Sequence, residues 1–300
     1  MPMRSVKWAE ALVPAIYKWF EVGRALRPSL VPFLYSVQGS SRSAENAIGI
    51  GGMSPDQWDE FENSGEKPEV NFDKGYLTTF THVEKVITFI VERKLEDDDQ
   101  YGIISSRARK LGIGAGQKIQ IDGASVFNNA FSVSFPGADA VGLCSLTHPT
   151  SPTISTAMVN YGLLSLTAEN ISTVRTAMMN FKDDKNNPLA VTPSLLLVPP
   201  ALEDTALKAV RSSLDPDSAE NAMNPQFGRF AVQPWHYLTD TNAWFMIDTV
   251  WMTESLIWYN RTPLEIKLVK ETTTDFMYEI YMRYSYGWTD WRWLYGCNPS

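Results

Sequence analysis

The most constraining feature of this sequence is a helical pattern too long for one small domain's private use. Tyr101, Ile104, Ala108, Leu111, Ala115, Ile119, Val126 and Ala130 recur at steps of three or four, with a gap near Asp122. A helix over residues 97–130 would run about 50 Å at about 1.5 Å per residue, more than a small domain needs to cover its own core. Such an element is a spine on which others hang. Glu96, Asp97, Asp98 and Asp99 stand at its start, where negative charge faces the positive end of a helix favourably. Gly112, Gly114, Gly116 and Gly123 interrupt it, each costing about 1 kcal/mol relative to alanine. The spacing predicts a bend or break over 112–116.

Ahead of the spine, residues 6–26 place Val6, Ala9, Val13, Ile16, Tyr17 and Phe20 near helical spacing, with Pro14 as a kink or break, and predict an amphipathic arm. Residues 28–52, rich in Ser and Gly, read as a connector. An acidic stretch over 60–68 leads into two extended strands over 69–92. Beyond the spine, 132–166 reads as irregular with short strands. Thr167 is positioned to cap a helix that aligns Ile171, Val174, Met178 and Phe181. A buried strand over 194–198 follows, then a helix opened by Pro199 and Pro200. Segments 229–234, 243–247, 255–259, 264–270 and 275–286 read as strands, the last with some helical character.

Length 300 allows two ordinary domains or one elaborated one, and 44% hydrophobic against 20% charged residues is a globular balance. A net charge of -8 supplies no basic footprint for tight, sequence-reading nucleic-acid binding. No run is long and apolar enough for a membrane span, and no export signal is legible. Cys144 and Cys297, 153 positions apart, give neither a disulfide framework nor a zinc-ligand spacing.

Candidate chemistry is weak throughout. Gly112, Gly114 and Gly116 imitate part of a dinucleotide fingerprint, but position 117 is Gln and the surrounding pattern is helical, so no cofactor is expected. Four consecutive acids at 96–99 cannot all face one metal ion, and His82, His148 and His236 form no ligand pair. Ser151 and Ser155 near His148 lack a nucleophile-elbow setting. No catalytic, cofactor or metal residue is assigned. The aromatic crowd over 278–295 has only Arg283 and Arg292 beside it, which favours core or subunit packing over base stacking.

The segments YLTTFTHVEK (76–85), ERKLEDDDQYG (92–102), ASVFNNAF (124–131), PSLLLVPPALEDTA (193–206), DPDSAENAMNPQFGRF (215–230), YLTDTNAWFMID (237–248) and YMRYSYGWTDWRW (281–293) resemble the Mu-like major head subunits of tailed phages. The resemblance implies an α+β, Hong Kong 97-like capsid fold. It would divide the chain into an N-terminal arm (1–52), an extended β-hairpin loop (53–93), a peripheral domain with the spine helix (94–165 and 263–300) and an axial domain (166–262). It further implies a non-enzymatic shell protein that assembles with itself as hexamers and pentamers around double-stranded DNA, contacting that DNA non-specifically. Portal, scaffold and decoration proteins would be further partners, with no membrane. Its place would be the virion, after assembly in the host cytoplasm.

Candidate subunit contacts are Lys67, Lys74, Tyr76 and Phe80 on the hairpin, Asp97, Asp98 and Asp99 at the spine start, and Trp288, Trp291 and Trp293 near the C-terminus. Each is equally explicable as local packing or solvated charge. Relatives that crosslink join a loop lysine to a distant asparagine. Nothing here selects the asparagine, so no crosslink is expected. The rival readings are a minor virion or scaffold protein and a metal-dependent hydrolase using the acidic run with His82 or His148.

Overall fold

A computed structural model describes residues 6–50, 74–92, 94, 102–152, 157–214, 223–271 and 275–299. In chain order the elements are α1 (Val6–Ala25), α2 (Val31–Leu34), β1 (Ser36–Gly39), β2 (Ala44–Ile50), β3 (Lys74–Thr81), β4 (Val83–Glu92) and α3 (Ile103–Asn128). There follow β5 (His148–Pro149), β6 (Ala157–Met158), β7 (Tyr161–Gly162), α4 (Ala168–Met179), β8 (Leu195–Val198) and α5 (Glu203–Arg211). The chain closes with β9 (Ala231–Pro234), β10 (Trp244–Ile247), α6 (Thr249–Ser255), β11 (Leu256–Glu271), β12 (Asp275–Trp288) and β13 (Leu294–Cys297).

The spine is α3, about 39 Å long at about 1.5 Å per residue, and it runs as one helix through 112–116. The expected break is absent, and Gly112 of the spine and Gly23 of α1 are contact points between the two helices. A Cβ built on Gly112 would lie 2.0 Å from the Phe20 carbonyl oxygen of α1, and one on Gly23 would lie 2.0 Å from the Arg109 carbonyl oxygen of α3. The helices cross with their backbones touching, which only a missing side chain permits. Gly114 points into open space. At its start, Gly102 takes a left-handed conformation (φ 65°), and Ser105 Oγ donates to the Gly102 carbonyl at 2.7 Å. Asp97, Asp98 and Asp99 lie outside the described residues. Pro14 sits within α1 without ending it.

One sheet has the order β1-β11-β12-β4, with β1 parallel to β11 and the remaining pairs antiparallel. β12 buries Phe276, Tyr278, Ile280, Met282 and Tyr284 at every second position, the strand period, so none of it is helical. Ile16, Phe20, Ile104 and Ala108 of the two long helices cover part of that face. The two strands expected over 255–270 are one strand. Its register slips between Asn260 and Thr262 and again before Glu265, around Pro263, which has no N–H to donate to the ladder.

The second sheet has the order β7-β13-β10-β8-β9. Leu195–Val198 and Trp244–Ile247 are buried at every position, as central strands covered on both faces must be. Helix α4 brings Ile171, Val174 and Met178 to this core, and the Thr167 hydroxyl caps it by accepting from the Asn170 N–H at 3.2 Å. α5 adds Ala206, Ala209 and Val210.

The C-terminal half of the spine ties the sheets together. Gln120 accepts from the Trp235 indole N–H (3.0 Å) and the Leu30 N–H (3.3 Å), while its amide donates to the Pro28 carbonyl (3.0 Å). Asp122, buried, accepts from Tyr284 OH and from Lys118 Nζ, both at 2.6 Å. Burial and this carboxylate hold the Tyr284 phenol well above its ordinary range. Phe127, fully buried, meets Trp235, Phe245 and Trp293 edge to face at 5.5–6.1 Å.

The extended strands before the spine form as β3 and β4, but they do not pair with each other. β3 pairs antiparallel with β2, inside the stretch read as a connector, and β4 joins the first sheet beside β12. The β2–β3 ladder is therefore a two-stranded ribbon of its own, bordering clefts that it shares with Pro136, Gly137 and Ala138 and with the end of β12.

Candidate functional site

Both strands of this ribbon are rooted at one polar cluster. His82, buried between β3 and β4, lies 3.0 Å through Nε2 from Ser40 Oγ and 2.9 Å through Nδ1 from Ser285 Oγ. Ser40 Oγ in turn donates to Glu45 Oε1 at 2.7 Å. Since the Ser40 proton is committed to Glu45, Ser40 accepts from the imidazole, which assigns the neutral Nε2–H tautomer with Nδ1 accepting from Ser285. One ring thus joins the β1–β2 turn, the β3–β4 junction and β12.

Burial, then the nearby Arg283, pushes the His82 pKa down from its ordinary value, with Glu45 opposing and Arg261 assisting. The folded state therefore binds the proton less readily than the unfolded chain. The stabilisation is complete above the ordinary histidine value near 6.5 and is lost as pH falls from there through the depressed folded value. The difference in urea midpoint between the native chain and a His82→Gln variant should shrink over that interval. A difference independent of pH would remove His82 as the source.

The ladder runs in register from Ala44↔Thr81 to Ile50↔Lys74, and it leaves the cross-strand pair Ile48 and Leu77 about half exposed. Lys74 is exposed where the described part of the ribbon ends. Tyr76 is half-buried over a cleft of about 350 Å³ that Trp288, Trp291, Arg292 and Asp139 also line. Burial raises the Tyr76 phenol pKa, helped by Asp139 and opposed by Arg292.

Beneath the cleft, His148 is enclosed, with Nδ1 2.6 Å from Asp139 Oδ2, Nε2 3.1 Å from Asn160 Oδ1 and its ring stacked on Trp291 at 4.3 Å. The amide of Asn160 donates to the carbonyls of Leu143 and Leu294. These bonds make His148 a buried junction rather than an exposed base. Among the described residues, no group of three or more His, Cys, Asp or Glu is placed to hold a metal ion. No helix among them is long and apolar enough to cross a membrane. Burial raises both thiols, that of Cys297 to about 12.

The sequence candidates separate accordingly. Tyr76, Trp288 and Trp291 meet at one cleft. Phe80 (3% exposed), Trp291 (5%) and Trp293 (0%) are enclosed by their own chain. Phe80 packs edge to face on Tyr259, and Trp293 sits against Phe127. Lys67, like the acids at 97–99, lies outside the described residues. Ile48 was missed because β2 lies in a stretch whose serines and glycines mask its strand pattern, and Leu77, although on an expected strand, because its cross-strand partner was hidden with it.

A spine helix laid on a long sheet, a second buried sheet and a separate two-stranded ribbon define the Hong Kong 97-like capsid fold. The capsid of bacteriophage JBD30 is similar, with 17% identity and a TM-score of 0.57 over 72% of this chain and 92% of that one. The capsid of Cyanophage P-SCSP1u gives 10% identity and a TM-score of 0.59 over 91% and 89%. The native GTA particle capsid gives 14% and 0.55, covering 92% of each chain. No curated protein matches the sequence. Residues 77–296 match the family described as phage capsid protein, and the chain belongs to that family.

Proposed function

We propose that this chain is the major shell subunit of a tailed-phage head, assembling as hexamers and pentamers into an icosahedral shell around double-stranded DNA. The observation that carries the reading is the family match over 77–296, and the half-exposed Ile48 and Leu77 on a ribbon anchored by His82 agree with it. Self-association also supplies what a thin ribbon lacks, a partner to cover its apolar side. Many modest contacts in a closed lattice then add through multivalency.

In this reading, residues 1–52 serve as arm, 53–93 as extended loop, 94–165 with 263–300 as peripheral domain and 166–262 as axial domain. The loop's rising strand begins earlier, at Ala44, and β4 is shared with the peripheral sheet. Lys74, Tyr76 and Trp288 are the surface candidates for subunit contact, and Lys67 with Asp97, Asp98 and Asp99 stay in the same proposal. The role is geometric and requires no turnover. Portal, scaffold and decoration proteins would be partners, DNA would be touched non-specifically, and assembly would occur in the host cytoplasm.

Electron microscopy of the purified, overexpressed chain should give shells with five-fold and six-fold capsomers, and in purified particles this chain should be the most abundant band. A low-copy band beside another shell protein would overturn the reading.

A further inference from the structure

Two arginines meet where the first sheet slips. The register of β11 jumps from Asn260↔Tyr284 to Thr262↔Arg283, so Arg261 and Thr262 stand together against Arg283. A bulge of this kind re-aims a side chain, and here it sets one guanidinium beside another. Like charges on facing strands repel, yet little on the chain offsets them. Glu84, opposite Arg283 on β4, holds its Oε1 4.0 Å from the Arg283 Nε, too far to accept a hydrogen bond, and its side chain is 59% exposed. Arg261 enters no ion pair among the described residues, and the Nε–H groups of both arginines are buried without a partner among them. Unpaired buried donors are costly and call for a ligand or a reason. Arg283 keeps 27% of its side chain exposed and Arg261 is half-buried, so a solute can reach both.

His82 lies beside the pair. After burial, Arg283 lowers its pKa further, Glu45 opposes and Arg261 adds to the lowering. Around the ring stand Ser40 and Arg42 from the β1–β2 turn, Glu45 from β2, Glu84 from β4, Tyr259 from β11 and Ser285 from β12. Glu45 is already engaged, by the Ser40 hydroxyl at 2.7 Å and by Arg42 at 3.6 Å. The cluster therefore keeps two cations without a close counter-charge, and gains a third when His82 takes a proton. A chain of net charge -8 offers no broad basic face, so this local excess suits one compact anion better than a run of phosphates. A tetrahedral oxyanion accepts from two guanidinium forks at once, whereas a carboxylate fills only one. We infer that Arg261 and Arg283 form a binding site for a single phosphate-class oxyanion, with His82 as the neighbour whose charge tunes it. The anion is a free phosphate or one phosphodiester of a DNA backbone, which share this chemistry. Protonated His82 adds attraction, so binding tightens in acid, and a bound anion in turn favours the protonated ring.

The probe is sulfate, a tetrahedral dianion whose charge stays constant while His82 titrates. The chain carries three histidines, so ring NMR of the full-length, unassembled chain follows His82 with His148 and His236 as internal controls. At constant ionic strength, replacing chloride by sulfate should raise the His82 pKa in a saturable way and leave the other two in place. Calorimetry should find sulfate bound about tenfold more tightly where His82 is charged than where it is neutral, and His82→Gln should remove that dependence while keeping the binding. Arg261→Gln with Arg283→Gln should abolish binding at either pH in a chain whose circular dichroism is unchanged. Short double-stranded DNA at matched phosphate concentration separates the two sources. A larger His82 response than sulfate gives assigns the phosphodiester, and a smaller one assigns the free anion. No saturable response, an equal response at His148 and His236, or a response that survives in the double arginine variant would overturn the site. None of these outcomes bears on shell formation.

Discussion

Truncating Phe127 to alanine is expected to cost the unassembled subunit about 3–5 kcal/mol, the range for deleting a fully buried aromatic. The ring has no exposed surface and meets Trp235, Phe245 and Trp293 edge to face. Those partners come from the chain after β9, from β10 and from the segment before β13, so a cavity there loosens the spine from the second sheet. Each lost edge-to-face pair adds about 0.5–1.5 kcal/mol beyond the area exposed. Large neighbours on several sides cannot all collapse inward, which puts the cost toward the upper end. Urea unfolding of the unassembled chain measures it, and Phe135→Ala, at a half-exposed ring, should stay within about 0.5 kcal/mol of the native chain. A Phe127 variant as stable as the Phe135 control would mean that the spine does not carry this core.

What the sequence disclosed was whatever one residue's neighbours along the chain decide. The strand over 275–286, the face made by Ile171, Val174 and Met178, and the cap at Thr167 are local patterns, and all are found in the structure, the first without the helical character expected of it. Partner choice is a different kind of information. β3 and β4 adjoin in sequence with only His82 between them, yet one pairs with β2 and the other with β12, nearly 200 positions away. No periodicity encodes that choice. The aromatic residues near the C-terminus pose the same difficulty: composition favours packing at core and interface alike, and only tertiary enclosure assigns Trp293 inward while Trp288 stays at a cleft. Ile48 was hidden because Ala44–Ile50 begins among serines and contains Gly49, a composition that reads as a turn, and the pair it makes with Leu77 of β3 was hidden with it.

The spine glycines make the same distinction measurable, because propensity and packing predict opposite signs at neighbouring positions. By propensity alone, Gly112→Ala and Gly114→Ala should each stabilise the helix by about 1 kcal/mol. At Gly114 nothing lies within 4 Å of an added Cβ, so that gain of about 0.5–1 kcal/mol should be realised in full. At Gly112 the methyl would stand 2.0 Å from the Phe20 carbonyl oxygen and 3.0 Å from the Arg24 amide nitrogen. Both are backbone atoms, which no rotamer change can move aside. The helices must separate, and overpacking of this kind costs about 1–3 kcal/mol, occasionally more. Separation would also pull Ile16 and Phe20 off the first sheet, so the net loss at Gly112 should outweigh the propensity gain. Unfolding midpoints of the two variants should therefore move apart, Gly114→Ala upward and Gly112→Ala downward. If both rise, α1 does not lie against α3, and the glycines are then merely weak points in a long helix.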